Sequence, residues 1–321
     1  MSRAGMTLGP SEANLWLTAR VVNTVDRCHS KRREDLTLNR LPRTALAILA
    51  GLVLVSAGAC TSNSANSGTK VDANDPNSII AGAVSDGSQI KSFHIKIAAT
   101  GTIKSTALAG SSAAGALAGD LKLDGATIEG DVDIKNAAAH LTMALPAFPV
   151  SEGMAVPMSG EVIVVDKAAY YKFGLTGATG AKFTKQDLGS ITSLASSLPV
   201  SAPSAGASAM TASSLQSEMA KAGVTSKVVG VEQVSGQDAY HITFTLPLDK
   251  INALAAGAGS ASMKIDSLSL DAWIYKNGNK PAKAEVKVGS AAVGSVGLTV
   301  TITDYDKSFS VTAPAAGDVN P

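Results

Sequence analysis

Cysteine and aromatic residues are scarce in this 321-residue chain, and neither sign of charge dominates. The two cysteines, Cys28 and Cys60, are too few for a disulfide framework or a cysteine-rich zinc site. The 27 basic residues nearly balance the 26 acidic ones, so no excess of positive charge attracts a phosphate backbone. We therefore expect no metal site, no cofactor and no nucleic-acid partner.

Motifs for nucleophilic and nucleotide chemistry are also missing. The sequence has no Gly-x-Ser-x-Gly elbow and no Walker loop. Ser88 and Lys91 have the Ser-x-x-Lys spacing of penicillin-recognising enzymes, but the companion motifs Ser-Asp-Asn and Lys-Thr-Gly are absent. His94 and His241 fall at polar strand positions, each without a carboxylate or second histidine at ligand spacing, which predicts solvated residues. We expect no enzyme activity, and a serine hydrolase stays open as an alternative because a catalytic triad is defined by geometry.

Long hydrophobic runs are absent except for the twelve residues 44–55. Arg40 and Arg43 precede this run, and small residues follow it at 56–59. A bilayer-spanning helix needs about 20 apolar residues, so a run of this length predicts the core of a secretion signal. Residues 61–75 are rich in Ser, Asn and Gly, which is typical of a flexible tether.

The residues before Cys60 resemble a bacterial lipobox. The sequence Ser-Ala-Gly-Ala-Cys places Ala57 where leucine is usual. The resemblance implies a diacylglycerol on the Cys60 thiol and cleavage just before it; the alternative is an ordinary cleavage site beside a chance cysteine. We predict residues 1–59 as an N-terminal extension and lipoprotein signal peptide, and 60–75 as the lipidated cysteine and tether. The protein is then held on the extracytoplasmic face of the cell membrane by acyl chains.

Apolar and polar residues alternate along most of the remaining chain. Residues 268–275, 283–288 and 296–303 all follow this period of two, which indicates half-buried strands. Asn277-Gly278 and Ser235-Gly236 predict hairpin turns. We expect nine to eleven antiparallel strands, with 162–173 forming a single one.

Helical patterns are fewer. We predict helices at 76–90, 190–198, 212–222 and 248–256. Asp75-Pro76 supplies a cap and first turn for the first, and glycine follows the last two. Strands with interspersed helices predict one α+β domain over 76–314, with 315–321 as a C-terminal tail.

The strands have one apolar face each, and that face needs a cover. Helices can pack flush on it or stand off and leave a cavity. The small side chains of this sequence make a filled core harder to achieve, which favours the cavity, with a dense small-residue core as the alternative. The phase of alternation predicts the cavity-lining residues Ile95, Ile242, Phe244, Leu270, Ala272, Ile274, Val286, Leu298 and Val300.

Four segments, in order, carry a resemblance to a known family. They are VVDKAAYY at 164–171, VSGQDAYHI at 234–242, DAWIY at 271–275 and DYDKSFSV at 304–311. With the lipobox, they resemble the mycobacterial LppX, LprG and LprF lipoproteins over 76–314. The resemblance implies a curved antiparallel half-barrel with helices on its concave face, enclosing an apolar cavity, and it implies no catalytic residue. A longer insertion around 198–213 departs from the family pattern.

The expected function follows from these features together. The resemblance implies a membrane-anchored lipoprotein that binds acylated lipids or glycolipids and carries them across the envelope, with a membrane lipid transporter as a further partner. A structural or adhesive envelope lipoprotein without a ligand, and the serine hydrolase, are the alternatives.

Overall fold

The described part of the chain forms one open antiparallel sheet. The computed structural model describes residues 71–108, 119–151, 154–176, 181–188, 211–257 and 264–320. Within them lie 12 strands, in the order β7-β6-β5-β4-β3-β1-β12-β11-β10-β9-β8, with β2 paired to β1 outside this path. The expected antiparallel sheet is confirmed. It has 12 strands, one more than the nine to eleven that the sequence predicts.

The bounds of the elements are as follows. The strands are β1 (Ser92–Ile103), β2 (Leu121–Lys122), β3 (Ala126–Asp133), β4 (Ala138–Ser151), β5 (Met154–Val165), β6 (Ala168–Leu175), β7 (Thr184–Asp187), β8 (Thr225–Val234), β9 (Gln237–Thr245), β10 (Ser267–Tyr275), β11 (Pro281–Ser290) and β12 (Gly294–Thr303). The α-helices are α1 (Pro76–Gly87), α2 (Ala212–Ala222) and α3 (Leu248–Gly257).

Both hairpin turns expected from the sequence are confirmed. Gly278 has a φ of 79° in the turn between β10 and β11, and Gly236 also has a φ of 79° between β8 and β9. Only glycine reaches this region without steric cost, so these residues fix where the chain reverses.

The segment expected as a single strand over 162–173 is instead two strands, so that prediction is wrong. The chain reverses at Asp166 and Lys167, whose φ angles are 53° and 61°. Positive φ at both central residues is the geometry of a type I′ turn. Because neither residue is Gly or Asn, the turn carries only a weak signal in the sequence.

The first helix begins where expected and ends early. The Asp75 side chain accepts a hydrogen bond from the Asn77 N–H, and Pro76 stands in the first turn. The helix ends at Gly87, not near Ile90. Ile90 instead packs beside Phe93, at the start of β1.

The later helices agree with the sequence pattern. The Thr211 side chain caps α2 by accepting from the Ser214 N–H, and Gly223 ends it in the left-handed conformation. Helix α3 extends one residue past its expected end. The helix expected at 190–198 lies outside the described residues. Among the described helices, none is long and apolar enough to cross a membrane.

Helices α1 and α2 pack on one half of the sheet. Their side chains share a core cluster with strands β9, β10 and β11. The buried members are Ile79, Ile80, Ala83, Leu215, Met219, Ile242, Phe244, Leu270, Ala272, Ile274 and Val286. Each large aliphatic side chain buried here stabilises the fold by about 1.5–3 kcal/mol.

The segment after β12 returns to the far edge of the sheet. Val319 forms a parallel bridge with Phe183, just before β7. Val319 and Val311 also pack against a cluster that contains Phe183, Ile163 and Tyr170. Residues close to the C-terminus therefore cover part of β5–β7.

Candidate functional site

Strand register places the nine predicted cavity-lining residues on one side of the sheet. Directly opposed residues of neighbouring strands point to the same side. Phe244 pairs with Leu270, Leu270 with Val286, and Val286 with Leu298. The remaining five follow the same phase, so all nine lie on what we call the apolar face.

The apolar face continues far beyond those residues. One register row crosses ten neighbouring strands without a polar side chain. Its members, in order from β8 to β6, are Val228, Ile242, Ala272, Ala284, Val300, Ile97, Ile128, Met143, Gly160 and Phe173. At ~4.8 Å between strands the row is about 43 Å long.

A small pocket lies where α1 and α2 meet the apolar face. Its volume is about 60 Å³, and nearly all of its lining is apolar. Ile80 and Leu215 contribute from the helices, while Phe244, Ala272 and Val300 contribute from the sheet. This volume is room for about two water molecules, well below the ~300–1,000 Å³ of a small-molecule site.

The other half of the apolar face is open to solvent as far as the described residues go. Ile97, Ile128 and Met143 are half-buried. Leu298 is 37% exposed and Phe173 is 52% exposed. No residue of a described helix belongs to the cluster around β1 and β12.

The nine predicted residues therefore divide between two environments. Ile242, Phe244, Leu270, Ala272, Ile274 and Val286 all lie in the helix-covered cluster. Val300 is buried in a second cluster, against which Ile95 packs. Leu298 is exposed to solvent. Four of the nine line the small pocket, namely Phe244, Ala272, Ile274 and Val300.

The opposite face of the sheet, which we call the polar face, carries the three described histidines. His94 Nδ1 lies 2.7 Å from Asp131, and His140 Nε2 lies 2.8 Å from Glu161. His94 and His241, expected as solvated residues, instead bond carboxylates, because cross-strand register supplies partners far away in the sequence. Among the described hydrogen bonds, no histidine contacts a serine.

His241 belongs to the most connected group on the polar face. Its two ring nitrogens lie 2.8 Å from Glu232 and 3.1 Å from Asp271. The ring stacks on Trp273 at 4.3 Å between centroids, and Trp273 donates to Glu232. Hydrogen bonds from Trp273 and His241 lower the pKa of Glu232 below its ordinary value. These contacts hold β8, β9 and β10 in register.

The Ser-x-x-Lys pattern has a structural role in the described chain. Ser88 follows α1 as its C-cap, and its hydroxyl donates to the Ser85 carbonyl at 2.6 Å. The Lys91 backbone N–H donates to Asp306. The first contact closes the end of α1, and the second holds the residue before β1 against the segment that follows β12. Within the described residues, no group of three His, Cys, Asp or Glu side chains has metal-binding geometry.

Glu285 on the polar face gives a pH-dependent prediction. Its carboxylate bonds Lys283 at 2.6 Å and lies 3.5 Å from Lys287, and these contacts lower its pKa despite partial burial. The carboxylate therefore stabilises the fold fully above its ordinary pKa of 4.5, and this contribution is lost as pH falls through the lowered folded value.

We expect Glu285→Gln to lower the free energy of unfolding by up to ~1 kcal/mol at neutral pH. The difference from the parent protein should be smaller at pH 3, below the ordinary range for Glu. Denaturant melts at both pH values measure it. A difference that stays constant with pH contradicts the assignment to the ionised carboxylate.

Comparisons with known proteins add two solved structures. No protein-family model and no curated protein sequence matches the chain. The lipoprotein LppX of Mycobacterium tuberculosis is similar at 17% identity and a TM-score of 0.39, over 74% of this chain and 100% of that one. LprF of Mycobacterium bovis is similar at 11% identity and a TM-score of 0.39, over 76% of this chain and 99% of that one.

LppX and LprF are two of the lipoproteins that the sequence motifs resemble. Because these identities and TM-scores are low, neither structure carries an argument for the function of this chain. That argument rests on the residues of the chain itself.

Several residues of the apolar face were not found by sequence analysis. Gly160 makes room for Phe173, because a Cβ at position 160 would lie 2.4 Å from that ring. Tyr171 lies 6.0 Å from Phe173, centroid to centroid. Both aromatic residues belong to the segment expected as one strand. The turn at Asp166 and Lys167 brings them onto the face beside β5.

Proposed function

We propose that this chain is a membrane-anchored lipoprotein whose apolar face binds the acyl chains of lipids or glycolipids and carries them across the cell envelope. Acyl chains on Cys60 anchor it to the extracytoplasmic face of the cell membrane, and residues 60–75 form the tether. Residues 76–314 bind the lipid, 315–321 form a C-terminal tail, and a membrane lipid transporter loads or receives the lipid.

The row of ten apolar positions is the observation that carries this proposal. Its open part, the five positions from Ile97 to Phe173, is about 19 Å long, which exceeds the ~15 Å hydrocarbon depth of one bilayer leaflet, so an extended acyl chain fits along it. An ordinary protein covers such a face, because leaving large apolar side chains in water forfeits ~25 cal/mol per Å². Phe173 and Leu175 are both more than half exposed.

The open half of the face is the proposed binding surface. The pocket of about 60 Å³ beneath the helices is too small for an acyl chain. It extends the binding surface but cannot enclose the ligand. A ligand there would contact the half-buried side chains of β12, β1, β3 and β4 and bury Leu298. Small residues such as Ala99 leave room above the sheet.

The alternatives make different demands on the same residues. A serine hydrolase needs a histidine beside a serine, whereas the described histidines all bond carboxylates. A ligandless envelope protein needs its apolar face filled by its own side chains. On the polar face, in contrast, ion pairs such as Lys96–Glu129 at 2.8 Å cover β1 and β3.

Native mass spectrometry of the chain starting at Thr61, purified from a bacterial host, tests the proposal. We expect masses above that of the protein by the mass of one or more membrane lipids, and a return to the bare mass after delipidation. A bare mass in every preparation, together with no uptake of a fluorescent fatty acid, contradicts lipid binding and favours the ligandless protein.

A further inference from the structure

Hydrogen-bonding side chains gather at one corner of the open half of the apolar face. Tyr171 on β6 pairs directly with Thr184 on β7, and Gln186 follows two residues later on β7. All three are half-buried. We call these three residues the polar corner.

Two register rows lead to the polar corner, and before it they carry only apolar side chains or glycine. The first row is Ile302, Ile95, Gly130, Leu141, Val162, Tyr171 and Thr184. The second row is Phe93, Val132, Ala139, Val164, Ala169 and Gln186. Polar groups therefore end both rows, at the β7 edge of the sheet.

Two of the three groups are left without a protein partner. Within the described residues, neither the Tyr171 hydroxyl nor the Gln186 amide has a hydrogen-bond partner. Tyr171 makes a ring contact with Phe173, at 6.0 Å between centroids. A polar group that loses its water under a ligand costs free energy unless the ligand replaces the hydrogen bond. A ligand covering this corner is therefore favoured if it has polar atoms there.

We propose that the polar corner binds the head group of the lipid, that this head group is uncharged, and that the acyl chain runs from β6 towards β12. The inference rests on the proposed function, because it assigns the direction and the head-group chemistry of the lipid on that same face.

Charge decides the class of head group. The hydroxyl and amide groups of the polar corner both donate and accept hydrogen bonds, as the hydroxyl and ester groups of a neutral lipid do. The charged side chains of β6 and β7 alternate onto the polar face. There Lys172 bonds Glu161 at 2.6 Å, and Lys185 lies 4.0 Å from Asp187. A phosphate on the apolar side would lose hydration without gaining a counter-ion.

The other end of the open half suits the end of an acyl chain. Val300 on β12 pairs with Ile97 and lines the small apolar pocket together with Ile80 and Ala83 of α1. Five strand spacings separate β12 from β6, which is about 24 Å. One end of the face is thus apolar and bounded by helices, while the other has hydrogen-bonding groups.

Nitroxide-labelled lipids test the direction. The full chain carrying Cys60→Ala, which has no acylation site, is labelled with ¹³C in its valine methyl groups. It is mixed with methyl stearate bearing a nitroxide either near the ester or near the methyl end. Val162 pairs with Tyr171 and reports on the polar corner, while Val300 reports on the other end, about 19 Å away across the strands.

We expect the nitroxide near the ester to broaden the Val162 signals several-fold more than those of Val300, and the nitroxide near the methyl end to do the reverse. Equal broadening at both positions, or the opposite preference, would overturn the proposal.

Substitutions in the polar corner test the hydrogen bonds. Tyr171→Phe and Gln186→Leu each remove the polar group and keep a similar size, so the melting temperature should not change. We expect each variant to bind monooleoylglycerol several-fold more weakly, and the double variant to lose the preferred direction. Tyr170→Phe is the matched control and should bind as the parent does, because Tyr170 is buried on the polar face. Equal effects of Tyr171→Phe and Tyr170→Phe contradict the assignment.

The charge of the head group is tested with a matched pair of lipids. Monooleoylglycerol and its phosphate monoester share the acyl chain and the glycerol, and only the second is charged. We expect the phosphate to bind at least several-fold more weakly to the parent protein. Equal affinities would refute an uncharged head group.

The same titrations keep the two proposals apart. Binding of monooleoylglycerol without a preferred direction refutes the head-group site and leaves lipid binding intact. If no lipid binds and neither Val162 nor Val300 is broadened, the proposed function is refuted together with this inference.

Discussion

Replacing Cys60 with alanine is expected to move the protein from the membrane fraction almost entirely into the soluble fraction. Two or three acyl chains contribute ~0.8 kcal/mol per buried methylene, which anchors the lipidated form stably to the membrane. The substitution removes the thiol to which they attach. Fractionation followed by immunoblotting measures the result.

The released protein should still be cleaved and folded. Ala57-Gly58-Ala59 has the small-residue pattern of an ordinary cleavage site, so the apolar run 44–55 can be removed without the cysteine. The described domain begins at Val71, eleven residues after Cys60, and its melting temperature should not change. Cys60→Ser is the conservative control and should behave in the same way.

A variant that stays in the membrane pellet contradicts the prediction. In that case the run 44–55 acts as an uncleaved anchor. The apparent mass of the protein distinguishes this outcome, because an uncleaved chain retains residues 1–59.

The strands and hairpins were predictable because their signals are local. Apolar alternation in 268–275 or 296–303 needs only the residues of one strand. Gly278 and Gly236 mark their turns because both have positive φ. For α2, the Thr211 cap and the terminal Gly223 fix both ends within a few residues of the helix itself.

The partners of the polar face were not predictable because register joins residues far apart in sequence. His94 and Asp131 are 37 positions apart, and they meet only because Ser92 pairs with Asp133 at the start of the β1–β3 ladder. Trp273 and Glu232 are separated by 41 positions. Without known strand pairing, each of these residues looks like an isolated polar or aromatic side chain.

The coverage of the apolar face was also beyond sequence analysis. Alternation assigns Leu298 and Leu270 to the same phase, and the register places both on the apolar face. The alternation does not reveal that Leu270 lies under α1 and α2 and is 3% exposed, while Leu298 is 37% exposed. That difference depends on where the helices dock, and short amphipathic helices carry no mark of which strands they cover.

A charge placed in the middle of the apolar row should abolish lipid binding while the fold survives. Ile128 lies in β3 between Ile97 and Met143, on the half of the face that no described helix covers, and it is half-buried. A carboxylate at this position would have to lose its hydration against an acyl chain, at a cost of several kcal/mol. We expect Ile128→Asp to reduce bound lipid at least ~10-fold, since 1.4 kcal/mol already corresponds to that factor.

Two matched variants separate charge, size and general damage to β3. Thr127→Asp places the same charge one residue away on the polar face, where it is also half-buried, and lipid binding should persist. Ile128→Ala removes side-chain volume without adding charge and should also retain lipid.

Thermal melts and lipid uptake, measured together on the chain starting at Thr61, distinguish a lipid surface from a filled core. On a lipid surface, Ile128→Asp loses uptake with only a small fall in melting temperature, because the side chain is half-buried before the ligand binds. In a filled core the parent binds no lipid, and the buried carboxylate lowers the melting temperature sharply instead. Ile242→Asp provides the reference for that second behaviour, since Ile242 is 0% exposed beneath α1 and its replacement should prevent folding. If Ile128→Asp melts close to the parent, the open half of the sheet is a surface for a ligand. If it behaves like Ile242→Asp, the open half is part of the protein's own interior.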